Sequence, residues 1–351
     1  MHRLLIANRG EIAIRIARAA AELGLQTVAV HAPEDAASLH LRAADQAVAL
    51  PGRGAAAYLD IDTLIAVAVS SECDAVHPGY GFLSERAEFA ERCAQAGLTF
   101  VGPSADLLSL FGDKARAREA AIAAGVPVNP GINAAVSLDQ ARDFLRGLPS
   151  GQAMIIKALA GGGGRGTRVV RSESELEEAL ARCRSEAQAA FGVPEVYVEA
   201  FIERARHIEV QVIGDAQGQV VHLGERECSL QRRFQKIIEF APAPGLPAAL
   251  RAQIHDAALR LARHTGYFSL GTFEFLVDAV EGHFVFIEAN ARLQVEHTVT
   301  EAVTGVDLVQ AQLRVAQGVG LDTLGLLDAD LARPRGHALQ LRINLETIDA
   351  Q

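Results

Sequence analysis

Glu288, Asn290, Arg292, Gln294 and Glu296 fall on every second position, with Ala289, Ala291, Leu293 and Val295 between them. In an extended chain a period of two puts all five polar groups on one side. The residues just before them, Phe284 to Ile287, are apolar at both alternations, which leaves Glu288 half-buried. A buried carboxylate is costly unless it meets a cation. Glu274, set between Phe273 and Phe275, is a second such group, and the short Glu281-Gly282-His283 connection makes the two strands antiparallel neighbours. Two carboxylates and the Asn290 amide oxygen are hard ligands suited to Mg²⁺ or Mn²⁺. The plain alternative is an amphipathic edge strand with its polar side in water.

A second feature is the run Gly161-Gly162-Gly163-Gly164-Arg165-Gly166-Thr167. A dinucleotide fingerprint needs a helix after such a loop, but a strand, Thr167–Arg171, follows. A phosphate-binding P-loop needs Lys before Ser or Thr, and Gly166 stands there. What remains is a strand–glycine loop–strand hairpin, a flap whose backbone N–H groups can lie close over a polyphosphate. A long turn without a ligand is the alternative. Lys157, at the end of the apolar strand Ala153–Lys157, needs an anionic partner, and Lys114 opens a helix whose positive dipole end also favours an anion. A third feature, Glu225 to Lys236, holds four cations in an acidic chain and reads either as a solvated charge run or as an anion pocket. Cys228 within it has no adjacent histidine to activate it and reads as a small apolar residue.

These residues need a scaffold. From the N-terminus, strands Leu4–Ala7, Thr27–Val30, Ala75–His77 and Thr99–Val101 alternate with helices at Glu11–Leu23, at Asp62–Val69 and from a Ser84 cap to Ala96, which argues for a doubly wound parallel sheet. A helical connector follows, from about Phe111 to Pro130. Val136 to Glu203 reads as a second α/β unit, and Arg206 to Asn290 as mostly strand with one long helix, Pro247–His264. The chain has 351 residues, half of them hydrophobic, and a formal charge of −10, which fits a globular protein and argues against a general nucleic-acid binder. No apolar run suits a membrane helix and no secretory signal opens the chain. Cys73, Cys93, Cys183 and Cys228 are scattered, as expected for a cytoplasmic protein without a disulfide framework or zinc site.

Taken in order and spacing, several segments resemble the biotin carboxylase domain of biotin-dependent carboxylases, a branch of the ATP-grasp ligases, closest in flavour to pyruvate carboxylase and single-chain acyl-CoA carboxylases. They are IANRGEIAIRIARA at Ile6–Ala19, HPGYGFLSE at His77–Glu85, GDKARA at Gly112–Ala117, GGGGRG at Gly161–Gly166, RHIEVQV at Arg206–Val212, ERECSLQRR at Glu225–Arg233, GTFEFL at Gly271–Leu276 and RLQVEHTVTE at Arg292–Glu301. The resemblance implies a Rossmann-like domain over 1–112, an ATP-grasp domain over 113–318 with its lid at about 131–203, and the start of a truncated C-terminal domain over 319–351.

It also implies roles. Lys114 and Lys157 match lysines on the phosphate and adenine sides of ATP, and Gly161, Gly162, Gly163, Gly164 and Gly166 match the lid. Glu199 and Ile202 match the adenine pocket, and His207 and Gln231 groups around the nucleotide. Glu274, Glu288 and Asn290 match ligands of two Mg²⁺ or Mn²⁺ ions. Lys236, Arg292, Gln294 and Val295 match the bicarbonate pocket, and Glu296 the base that deprotonates bicarbonate. Tyr80 lies in a motif that flanks biotin, and Arg342, in the strand-like Ala338–Leu345, matches the arginine that steadies the biotin enolate. Arg15 matches a position near a homodimer contact. The implied partners are a biotin carboxyl carrier domain and a carboxyltransferase. Another ATP-grasp ligase, or a nucleotide-binding fragment without catalysis, is the competing expectation. Phe234 stands where many members have His.

Overall fold

The computed structural model describes residues 1–160, 166–232, 234–280, 282–328 and 333–343. The glycines Gly161, Gly162, Gly163 and Gly164 therefore lie outside the described residues, as does the chain beyond 343.

The N-terminal sheet is parallel, in the order β3-β2-β1-β4-β5, from β1 (Arg3–Ile6), β2 (Gln26–His31), β3 (Gln46–Ala49), β4 (Ala75–His77) and β5 (Thr99–Phe100). Alternation along β1 builds two layers. Leu4 and Ile6 pack under the helix Gly10–Glu22 through Ile12 and Ile16, while Leu5 faces Leu64 and Phe89 of the helices Ile61–Ser70 and Ala87–Gln95 on the other side. Parallel sheets are covered on both faces, and this one is. The edge strand β3 was not foreseen. Ser84 is not a cap: the helix starts at Ala87 after Arg86, and Ser84 is buried upstream.

The lid is the expected second α/β unit, a sheet packed on two helices. Its sheet is antiparallel, in the order β6-β9-β7-β8, from β6 (Gly131–Ile132), β7 (Met154–Ala158), β8 (Arg168–Val170) and β9 (Val196–Ala200). Met154, Ile156 and Val198 pack against Ala141, Leu176 and Leu180 of the helices Leu138–Gly147 and Glu173–Phe191. β7 and β8 form the expected hairpin. Gly166, at its exit, has φ +65°, and a Cβ there would lie 3.1 Å from the Ala158 Cβ and 3.3 Å from the Cys183 carbonyl oxygen. A side chain would be strained and crowded there.

The largest sheet is antiparallel, in the order β14-β13-β10-β11-β12-β15, from β10 (Ala205–Gly214), β11 (Val220–Arg232), β12 (Gln235–Ala241), β13 (Ser269–Asp278), β14 (Phe284–Asn290) and β15 (Ala338–Leu341). Its strands sort apolar from polar by period two. Ile208, Val210, Phe273 and Phe275 pack against Ile254 and Leu261 of the helix Ala248–His264. His207, Glu209, Gln211 and Glu274 turn to the opposite face, where His207 and Glu274 reach the cleft shared with the lid. The helix Gly10–Glu22 also packs against the distant helix Leu308–Ala316, where Arg15 Nη2 lies 2.9 Å from Glu301 and 2.7 Å from Asp307. No helix among the described residues is long and apolar enough to cross a membrane.

Candidate active site

Between the lid and the polar face of the large sheet lies a cleft of about 1010 Å³. Its floor begins with Glu288 beside Glu274, both lining the cleft, and the register continues beneath it with Glu274 beside Glu209 and Glu209 beside Arg226. The expected antiparallel pairing of the two glutamate strands is thus direct. The period-two strand itself stops at Asn290, and the chain runs on as a loop into the helix His297–Thr304. Arg292, Gln294, Val295 and Glu296 still line the cleft, because that loop folds across the sheet end; strand alternation is not what aims them there.

Lys236 sits at the centre. Its Nζ donates to Glu209 Oε2 at 2.5 Å, Glu274 Oε1 at 2.8 Å and Glu296 Oε1 at 2.8 Å. Burial would lower the Lys236 pKa, but the three carboxylates hold it well above the usual lysine value. Arg226, fully buried, donates to Glu209, Gln211, Thr300, Thr272 and Gln294. Gln294 Nε2 in turn donates to Glu274 Oε1 at 3.0 Å, and Asn290 Nδ2 to the same oxygen at 2.7 Å. His207 Nε2 lies 2.6 Å from Glu274 Oε2, and the Gln231 amide lies 2.9 Å from His207 Nδ1. Burial would raise the Glu296 pKa, yet Lys236, Arg226 and Arg342 outweigh it and bring it down to about 2. Arg342 Nη2 donates to Glu296 Oε2 at 2.9 Å.

The other end of the cleft is simpler. Glu199, buried on β9, accepts from Arg118 Nη1 at 2.6 Å and Lys157 Nζ at 2.7 Å. Burial would raise its pKa, but Lys157 and Arg118 hold it below the ordinary glutamate value. The anionic partner that Lys157 required is thus a protein carboxylate on the neighbouring strand, with one side of the lysine open to the cleft. Ile202 and Thr167 line this end, and Phe234, 52% exposed, stands at its edge where a histidine was expected. Lys114 Nζ lies 3.6 Å from Glu288 Oε2 and joins the two ends.

Glu274, Glu288 and Asn290 offer a carboxylate pair and an amide oxygen at adjacent register positions, a set that fits a hard divalent cation. Asn290 Oδ1 accepts from Arg292 Nη2 at 2.9 Å, and Glu288 keeps part of its surface exposed. His207, Glu209 and Glu274 also bring their ligand atoms within 4.8 Å of one another.

Two expected site residues stand apart. Tyr80 does not line the cleft; its ring packs on the N-terminal core and its carbonyl accepts from Asn8. The same motif reaches the site through Glu85, whose carboxylate lies 2.8 Å from Arg292 Nε. Gly166 shapes the base of the flap rather than the cleft wall. The charge run Glu225 to Lys236 is neither wholly solvated nor wholly a pocket: Arg226 is buried beneath the floor, Lys236 is at its centre, and Arg232 lines the mouth. Cys228 is buried, and burial holds its thiol pKa well above the usual value. Sequence reasoning missed Glu209, Arg226, Arg118 and Glu85. For Glu209 a signal existed, a lone acid alternating with Ile208, Val210 and Val212.

Residues 1–108 match the family described as biotin carboxylase, N-terminal domain, and residues 113–324 match the carbamoyl-phosphate synthase L chain, ATP binding domain. Biotin carboxylase of Haemophilus influenzae is 48% identical over 99% of this chain and 76% of its own length. Pyruvate carboxylase 1 of Caenorhabditis elegans is 53% identical over 98% of this chain, which spans only 29% of that relative. A solved biotin carboxylase domain dimer of Hydrogenobacter thermophilus 2-oxoglutarate carboxylase, in complex with MgADP, ADP and bicarbonate, superposes with a TM-score of 0.94 at 41% identity, covering 98% of this chain and 75% of that one. With both domain families matched and 48% identity to a biotin carboxylase over nearly the whole chain, the protein belongs to the biotin carboxylase family of ATP-dependent ligases.

Proposed function

We propose that the chain uses ATP and bicarbonate to carboxylate biotin presented on a carrier domain, as the first half-reaction of a pyruvate or acyl-CoA carboxylase. The observation that carries this is Glu296, a buried carboxylate gripped by Lys236 and Arg342 beside the Glu274–Glu288 pair. Bicarbonate is an anion whose carbon is a poor electrophile. Lys236, Arg292 and the Gln294 amide form a pocket for it. Glu296 takes its proton, and the resulting oxyanion attacks the γ-phosphate, with ADP leaving. The carboxyphosphate so formed releases CO₂ and phosphate. The released phosphate takes the ureido N–H proton of biotin, Arg342 stabilises the resulting enolate form, and its nitrogen attacks the CO₂. At the other end of the cleft, Lys157 and Lys114 bind the nucleotide phosphates, Glu199 orients Lys157, and Ile202 packs on the base.

Two Mg²⁺ or Mn²⁺ ions held by Glu274, Glu288 and Asn290 would neutralise phosphate charge when bound. Glu274 is prepared for that by three donors, Lys236, Asn290 and Gln294, that fix its Oε1. A carboxyltransferase partner, a homodimeric state and a cytoplasmic setting belong to the same reading. The test is ATP hydrolysis measured with and without bicarbonate and free biotin. Hydrolysis should need bicarbonate and rise with biotin. Hydrolysis indifferent to biotin would point instead to another ATP-grasp ligase.

A further inference from the structure

β15 lies at the edge of the large sheet, paired to β12 with Glu239 opposite Gln340 and Ile238 opposite Leu341. Alternation turns Leu339 and Leu341 outward, 53% and 56% exposed, and turns Gln340 and Arg342 inward. Arg342 therefore lies diagonally across from Glu239 on the same face. Its guanidinium is forked between two carboxylates. Nε donates to Glu239 Oε1 at 2.5 Å, and Nη2 donates to Glu296 Oε2 at 2.9 Å.

The two carboxylates differ in surroundings. Glu296 lines the cleft and has Lys236 as a second cation. Glu239 is fully buried, does not line the cleft, and its Oε2 has no hydrogen-bond partner among the described residues. Burial raises the Glu239 pKa, with Arg342 as the opposing influence and Glu296 adding to the rise. A buried carboxyl oxygen without a partner is costly, so a purely structural role would be better served by an apolar residue. We infer that Glu239 is the positioning residue of Arg342. It anchors the guanidinium by Nε from behind the cleft wall, so that Nη2 can leave Glu296 and turn to the biotin oxygen without the side chain losing its aim. This rests on the role given to Arg342 above.

The geometry explains why two carboxylates are needed. Glu296 must meet bicarbonate, and while it does so it cannot also hold Arg342. With Glu239 removed and Glu296 engaged by bicarbonate, Arg342 would keep, among the described residues, its backbone N–H bond to the Ile237 carbonyl at 2.8 Å and neither carboxylate.

The test compares wild type, Glu239→Gln, Arg342→Ala and the double variant, with Mg-ATP, bicarbonate and free biotin. Two rates are read, bicarbonate-dependent ATP hydrolysis without biotin and the increment that biotin adds. Glu239→Gln should lower the biotin increment about 10-fold more than the biotin-independent rate, in kcat rather than in the KM for ATP. In the Arg342→Ala background the same substitution should change the increment less than about twofold, since a positioning residue acts only through its partner. An equal loss of both rates, or full additivity in the double variant, would overturn the inference. An Arg342→Ala variant that keeps the full biotin increment would instead overturn the role of Arg342 itself. Should Glu239→Gln fold poorly, Glu239→Asp, which keeps the charge but shortens the reach, is read in the same cycle.

Discussion

Around Lys236, three carboxylates, a lysine and a fully buried arginine share one hydrogen-bonded network; around Lys157, a single buried carboxylate holds two cations, one of which still faces the cleft. The first end pairs its charges closely and fixes nearly every donor before any substrate arrives. The second carries surplus positive charge, with Lys157 and Glu199 on the four-stranded sheet and Arg118 on the helix Lys114–Ala123. The contrast fits the two tasks. Handling a small anion and its proton needs groups held to fractions of an ångström. Holding a nucleotide needs a charged wall that can meet polyphosphate and, on its other side, stack on a base.

If the two ends are separate in this sense, substitutions should separate turnover from nucleotide affinity. The largest effect is expected for Glu288→Gln, which keeps shape and removes one charge at the carboxylate end. Turnover should fall about 10²–10³-fold while Mg-free ATP still binds. Glu288 is only partly buried, so the thermal midpoint should stay near wild type. Normal turnover at ordinary Mg²⁺ would discard the paired-carboxylate reading. Next in size is Lys157→Ala. Calorimetry should show Mg-ATP affinity down about 10- to 100-fold, the worth of one charge-assisted contact, with Arg118 still holding Glu199. Equal affinity in the variant would remove Lys157 from the nucleotide end. If both variants lost the same parameter, the comparison itself would fail.

Acid sharpens the contrast with a smaller effect. Burial lowers the pKa of His77 to about 3 and of His222 and His297 to about 4. The unfolded chain protonates these residues near pH 6.5, so between about 6.5 and 4 it binds more protons than the folded chain. Stability therefore rises with pH through that window and is lost as pH falls through it, by at most about 1.4 kcal/mol per pH unit per histidine. Glu296, held at about 2, keeps its charge over the same range. Urea midpoints measured from pH 7 to 5 should fall, and His222→Gln should flatten the slope. A midpoint constant over that range would show that these histidines are not buried as neutral rings.

The carboxylate strand was legible because its pattern is local. Glu274 is flanked by Phe273 and Phe275, Glu288 ends an apolar run, and a short connection between two strands leaves one pairing that makes them neighbours. Glu209 and Arg226 were not, because alternation tells which face a side chain takes but not what stands opposite. Arg226 meets Thr300, 74 residues on, and Gln294, 68 residues on. Nothing in a single sequence sets such a register. The same holds for Arg118, which meets Glu199 across 81 residues. The run to Glu296 was right about the side chains and wrong about the backbone, since a loop can aim alternate residues as well as a strand does. In the lid the hairpin of β7 and β8 was legible, but the short strand Gly131–Ile132 and the pairing of β9 between it and β7 were not, as hydrophobic pattern does not say which strands are neighbours.

The packing of Gly10–Glu22 on Leu308–Ala316 has a consequence for how the chain is made. Arg15 and Glu301 are 286 residues apart, and Ile12 and Ile16 share a core with Leu308 and Leu313. At ribosomal rates of about 5–20 residues per second, the first helix waits roughly 15–60 s for its cover. During that interval the N-terminal sheet has one layer complete, around Leu5, and the other incomplete. The newborn domain thus shows an apolar stripe to whatever surrounds the ribosome until the helix Leu308–Ala316 has been made.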